Sequence, residues 1–189
     1  MKKRNEQVAR SDLSSITDAL QEVTNVVRTD SLIVSYPDGK SINALSFSGN
    51  EWYAYAVAED VKTLPLVSGN LAALAVSGKN VREIAVFTTQ FQRGKWYSHR
   101  LRQPASGECV PVLGPSGVLY RIGNDCYAFS TQHGSWADLH LEGNEEIISS
   151  ASPSAFLVRQ GEMLYVFSFT NAAWSKGTQV SLKKPQPAK

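Results

Sequence analysis

The chain has 189 residues, of which 42% are hydrophobic and 19% charged, and a formal net charge of +2. That balance excludes a disordered chain and supplies enough apolar side chains for a well-filled core. No apolar run approaches the roughly 18 residues that a membrane-spanning helix needs, so no membrane span is expected.

The charge is unevenly placed. Lys2, Lys3, Arg4, Arg10, Lys183, Lys184 and Lys189 sit in the two tails, leaving 12 basic against 15 acidic side chains between Leu13 and Leu182. A mildly acidic body lacks the basic face that nucleic acid requires, so no nucleic-acid partner is expected. The start, MKKRNEQVARSDLSS, is basic but has no apolar stretch behind it, unlike a secretory signal, and a cytoplasmic protein is expected.

In chain order, residues 1–11 form a polar, basic tail. Leu13, Ile16, Leu20 and Val23 then recur at helical spacing behind a capping Ser11 or Asp12. They predict a helix of about twelve residues, too short to stand alone, that covers one face of the domain or docks on a partner. Residues 1–23 are thus a tail and helix, 24–182 the main domain, and 183–189 a Pro-broken polar tail.

Within the main domain the chain repeats itself four times. An apolar run reaches Phe47, Phe87, Phe129 or Phe167; Ser48, Thr88, Ser130 or Ser168 follows, then a short turn, then Trp52, Trp96, Trp136 or Trp174. The tryptophans, which are all that the chain contains, lie 44, 40 and 38 residues apart. A period of about 40 residues with short strands inside it predicts propeller blades. The blades span about 24–57, 63–101, 109–141 and 146–180, each with four strands, A to D from the inside outward. In the third they are 109–113, 117–122, 125–130 and 135–141, separated by Gly114-Pro115-Ser116-Gly117, Gly123-Asn124 and His133-Gly134. In the second, B is predicted at 71–76, C at 82–88 and D at 95–101, as separate strands. Strand C is apolar on both of its sides in every repeat, for example Tyr127-Phe129 against Cys126-Ala128, which predicts burial on both faces.

The stretch VLYRIGNDCYAFSTQHGSWADL resembles a kelch-type blade, in which an aliphatic strand ends at glycine and a Tyr-containing strand leads through a turn to Trp. It departs from that family in having single glycines, Gly39, Gly78, Gly123 and Gly161, where kelch blades carry a Gly-Gly pair. The resemblance implies an all-β fold, a small β-propeller of four four-stranded blades, used mostly for binding and occasionally as an enzyme scaffold. Four blades are expected to close a small ring as a monomer. The alternative is a homodimer in which two chains join end to end into an eight-bladed ring.

Chemistry is sparse. No phosphate-cradling loop, H-E-x-x-H or G-x-S-x-G is present, and neither a cofactor nor a metal is expected. His99 and His140 lie three and four residues after their tryptophans, facing opposite sides of their blades, and His133 lies in a turn; all three read as surface or structural residues. Cys109 and Cys126 are assigned to the first and third strands of one meander, roughly 9.6 Å apart, so two free thiols are expected.

The candidate binding residues are charges in connections that emerge on one side of a propeller. Glu59, Asp60, Arg102, Glu108, Glu145 and Glu146 fall in D-to-A connections; Lys79, Asp125 and Glu162 lie in or beside B–C turns. The expected function is a non-enzymatic binding or scaffold module that engages a protein partner through this loop face. The alternatives are an enzyme or sugar-binding protein with a site at the channel mouth, and half of a larger ring.

Overall fold

The structure, a computed structural model, describes residues 25–37, 40–90 and 94–180. The predicted N-terminal helix and both tails lie outside the described residues. The described chain is all β, in four antiparallel meanders. Blade I contains β1 (Val26–Arg28), β2 (Leu32–Ser35), β3 (Ser41–Ser46) and β4 (Glu51–Ala56). Blade II contains β5 (Val61–Ser68), β6 (Leu71–Thr88) and β7 (Lys95–Cys109). Blade III contains β8 (Val112–Gly114), β9 (Gly117–Ile122), β10 (Asp125–Ser130) and β11 (Ser135–His140). Blade IV contains β12 (Ile147–Ala151), β13 (Ala155–Gln160), β14 (Met163–Ser168), β15 (Ala173–Trp174) and β16 (Thr178–Gln179). The last two are halves of one outer strand, both paired with β14.

The same backbone bonds recur in each blade because the same turns recur. Phe47, Thr89, Thr131 and Phe169 donate their amides to the carbonyls of Ser31, Asn70, Ser116 and Ser154, tying the end of each third strand to the start of the second. This register corrects the first repeat. Leu45 pairs with Trp52 as Phe87, Phe129 and Phe167 pair with their tryptophans. Phe47 therefore belongs to the turn, and Leu45-Ser46 take the places expected for Phe47-Ser48.

Blade II departs from the four separate strands predicted for it. Its B and C stretches run as one 18-residue strand, β6, which doubles back so that Thr89 N reaches Asn70 O at 3.0 Å. β7 continues past the predicted strand end to Cys109 and pairs with the bend of β6, at Val81↔Ala105 and Val76↔Cys109. Arg82 alone opposes residues 101–104, a bulge that accommodates Pro104 within a strand. Cys109 thus ends blade II rather than opening blade III. Both thiols are free and buried, as expected.

The blades stack in chain order. Phe87 and Trp96 of blade II pack on Tyr53 and Tyr55 of blade I; Phe129 of blade III packs on Tyr97 of blade II. Tyr120 of blade III donates its hydroxyl to Leu74 O in blade II, and Ser130 Oγ donates to Phe169 O across the last seam. Strand β10 and the second half of β6 are buried on both faces, as their sequences predict. Strands β3 and β14 are not: β3 alternates buried and half-exposed residues, and β14 is half-exposed at all but Phe167. The β14 sequence is apolar on both sides, whereas β3 carries Ser41 and Asn43 on its half-exposed side; among the described residues each has a neighbouring blade on one side only.

Candidate functional site

Among the described residues, blades I and IV each have one face that is only partly buried. On blade I, register places Arg28, Ile33, Leu45 and Trp52 in one row across the sheet. Trp52 is 56% exposed, and the Arg28 guanidinium stands 5.5 Å over the ring of Phe47, itself 38% exposed. On blade IV the row is Ser150, Leu157, Val166 and Ser175, where Ser175 N donates to Val166 O and Ser175 Oγ accepts from Val166 N. Contiguous apolar surface of this kind marks interaction sites on folded proteins.

Trp52 stands apart from its repeats because, among the described residues, no blade packs against its side of blade I. Trp96 Nε1 donates to Tyr53 O at 2.9 Å and Trp174 Nε1 to Ala137 O at 3.0 Å; in both cases the acceptor is the residue after the preceding blade's tryptophan. Trp136 packs in the same seam position against Phe129, but its Nε1 is without a hydrogen-bond partner and the His99 ring stacks on it at 5.2 Å.

The inner edge is also apolar. The first strands of successive blades meet there, β1 on β5 and β8 on β12. Val26, Leu64, Val112 and Ile148 on those strands, with Val110 beside them, are all exposed.

Charged groups gather in the seams. Between blades II and III, His140 Nδ1 lies 2.7 Å from Asp125 Oδ1 and the Arg102 guanidinium 3.9 Å from the same oxygen. His99 Nε2 lies 2.9 Å from Asp138 Oδ1, off the line of a hydrogen bond. Tyr127 Oη accepts from Arg102 N at 3.0 Å, and burial pushes the Tyr127 hydroxyl above its ordinary pKa. A groove of about 560 Å³ opens here, lined by Arg102, Ser106, Asn124, Asp125 and His140. The two histidines do face opposite sides of their blades; because the blades are neighbours, both end in one seam. This constellation was missed in the sequence, where strand parity and blade order together carried its signal.

Sequence comparison finds no match: no protein-family model and no curated protein matches the chain. Among solved structures it is similar to the WD40 domain of SCAP from fission yeast, at 12% identity and a TM-score of 0.39, over 79% of this chain and 42% of that one. It is also similar to Hsv2p of Kluyveromyces lactis, at 11% identity and a TM-score of 0.42, over 83% of this chain and 61% of that one. A third is U3-55K, at 14% identity and a TM-score of 0.38, over 79% of this chain and 50% of that one. The chain spans less than two thirds of each. What unites them is β-propeller architecture.

Five of the nine predicted loop residues, Asp60, Arg102, Asp125, Glu108 and Glu146, line three seam grooves. Asp60 lines a groove of about 620 Å³ between blades I and II with Tyr55, Asn80, Arg82 and Glu83. Arg102 and Asp125 come together in the next seam, as described. Glu108 and Glu146 line a third groove, with Arg121, whose guanidinium donates to Ile147 O. Glu162 accepts from Gln179 Nε2 at 2.9 Å, and Glu145 lies against Gly161. Glu59 and Lys79 are exposed. Two expected locations change: Lys79 lies within β6, and Arg102 and Glu108 lie within β7, because paired backbone replaces the loops predicted there. Among the described residues, no cluster of three or more His, Cys, Asp and Glu side chains is arranged to hold a metal ion.

Proposed function

We propose that this chain is a non-enzymatic binding module, an arc of propeller blades whose uncovered end faces seat a protein partner. The observation that carries the reading is the row of exposed Trp52 with half-buried Leu45 and Ile33 on blade I. The same row is covered by a neighbouring blade in every later repeat. A surface of aromatic and aliphatic side chains on a rigid sheet suits a protein partner, since Trp anchors contribute most where a pocket excludes water around them.

A second contact surface on the loop side is favoured by the seam grooves, which set Asp60 near Arg82 and Asp125 near Arg102. Mixed charge on a rigid rim suits partner selection more than raw affinity. The kelch-like blade motif agrees with a binding role of this kind. For a site at the channel mouth there is less support, because the acid–histidine pairs lie on β7, β10 and β11, away from the inner strands.

The test is a photo-crosslinking amino acid placed at Trp52 in the living cell, with Ser98, an exposed outer-strand residue, as control. Discrete protein adducts at 52 and none at 98 are expected. Absence of adducts at 52 overturns the reading.

A further inference from the structure

The two open faces are the two halves of a joint that the chain already makes three times. In each internal seam, one face offers a row that includes the tryptophan, and the other a row that includes the residue after the preceding tryptophan. At the last seam, the row Trp174, Phe167, Phe156 and Ala151 meets the row Ala137, Ala128, Leu119 and Val112. Trp174 Nε1 bonds to Ala137 O there. Among the described residues, blade I has the first kind of row with no blade to seat it on, and blade IV has the second kind with no blade seated on it.

We infer that the first blade of one chain seats on the fourth blade of a second copy, and that two such junctions close an eight-bladed ring. The inference deepens the binding reading above and rests on it. Aligning the rows by the internal rule sets Trp52 on Ser175, Leu45 on Val166 and Ile33 on Leu157, with Arg28 beside Ser150. Apolar meets apolar along the middle of the row. Trp52 Nε1 is directed to Ser175 O, the counterpart of Tyr53 O and Ala137 O.

Symmetry and size agree. A two-fold axis makes the two junctions identical and leaves no open face, whereas a single junction would leave two. Eight blades fall within the usual propeller range of about 4–8. With strands of about five residues on these two blades, a face of four strands measures roughly 17 by 19 Å, so four hidden faces amount to about 1,300 Å² of projected area, within the range of a specific interface.

The experiment uses the full chain and light scattering after size exclusion over a range of concentrations. Wild type is expected at twice the 20.7 kDa chain mass. Leu45→Asp and Val166→Lys are each expected to give folded monomers by circular dichroism, because each puts an unpaired charge into both junctions. An equimolar mixture of the two is expected to recover the dimer. In the mixed pair, one junction joins the new carboxylate to the new ammonium and the other is wild type on both sides. A dimer unaffected by either substitution overturns the inference, as does failure of the mixture to recover while both variants remain folded.

A wild-type monomer at all concentrations also overturns it, and hydroxyl-radical labelling of side chains then separates this failure from that of the binding reading. Rapid labelling of Trp52 relative to Trp96 leaves the face open for a different protein, so that only the second copy fails. Trp52 labelled as slowly as Trp96 in the monomer means that the chain covers its own face, and both readings fail.

Discussion

Trp96 spans the seam between the first two blades, its indole Nε1 2.9 Å from the carbonyl oxygen of Tyr53. Its ring also packs on Tyr55 and Phe87, at centroid distances of 5.2 and 5.3 Å. Trp96→Phe keeps most of the ring contact and removes the donor. A lost hydrogen bond at a partly buried acceptor costs about 1–2 kcal/mol, and the same is expected for Trp174→Phe. Trp52→Phe, at an exposed position, is expected to stay within about 0.5 kcal/mol. Urea unfolding at the lowest workable concentration, where association contributes least, checks all three. Equal losses at all three positions would contradict the seam account.

Tyr120 holds blades II and III together from the inside. Its hydroxyl is fully buried and lies 2.8 Å from Leu74 O and 3.2 Å from Ala85 O, on the two halves of doubled-back β6. Tyr120→Phe is expected to destabilise the fold by about 1–3 kcal/mol, since the carbonyls lose their shared donor without gaining water. Tyr120→Leu, which also removes ring packing on Trp136, is expected to cost more. A Phe variant as stable as wild type would mean that water replaces the hydroxyl.

Much of this architecture was legible in the chain. Gly123-Asn124 and the apolar runs beside it placed β9 and β10 at their observed bounds, because a tight turn between two strands leaves little freedom of register. The first repeat misled because Phe47-Ser48 matches the later Phe-hydroxyl pairs by residue type. Hydrogen bonding instead gives Leu45-Ser46 those places and makes 47–50 a turn. Residues 102–108 were expected as a connection, yet they continue β7, with Pro104 in a bulge where its missing donor leaves no gap in the ladder. The half-covered face of blade IV was not legible from strand composition, since β14 is at least as apolar as β10, whereas in β3 Ser41 and Asn43 already fall on the half-exposed side. Whether a second face is covered depends on the next blade, and that information lies outside the strand. The His–Asp seam was missed for a related reason: it is assembled from two blades, and no local spacing records it.

Gly117 tests how tightly the last seam is packed. A Cβ there would lie 2.5 Å from Phe129 O and 2.8 Å from Phe169 Cε1. Backbone cannot yield as a side chain can, so Gly117→Ala is expected to destabilise by about 1–3 kcal/mol through overpacking. Gly123 is a different case, with φ +59° and open space around it. Gly123→Ala is expected to cost about 1–2 kcal/mol through its left-handed backbone, and Gly123→Asn less, because Asn tolerates that conformation. No such rescue is expected from Gly117→Asn. Thermal melts of the four variants distinguish the two causes, and rescue at Gly117 would count against the steric one.

Cys126 is fully buried between β9 and β11, and burial pushes its thiol up to about 11, with nearby Asp125 adding to the rise and Arg121 opposing it. Burial raises Cys109 as well, and raises the hydroxyls of Tyr97 and Tyr120. Each group keeps its proton in the folded chain over a range in which the unfolded chain has released it. The folded state therefore loses stability as pH climbs above the ordinary thiol value of 9, and these groups contribute no pH dependence well below it. The urea midpoint is expected to be insensitive to these groups near neutrality and to fall between 9 and about 11, with a shallower fall in Cys126→Ala. Since thiolate is the reactive form, a thiol reagent at neutral pH is expected to modify Cys126 only as fast as the chain opens, and urea to accelerate it. Rapid modification of the native chain would place Cys126 at an accessible surface and remove burial as the cause of its raised pKa.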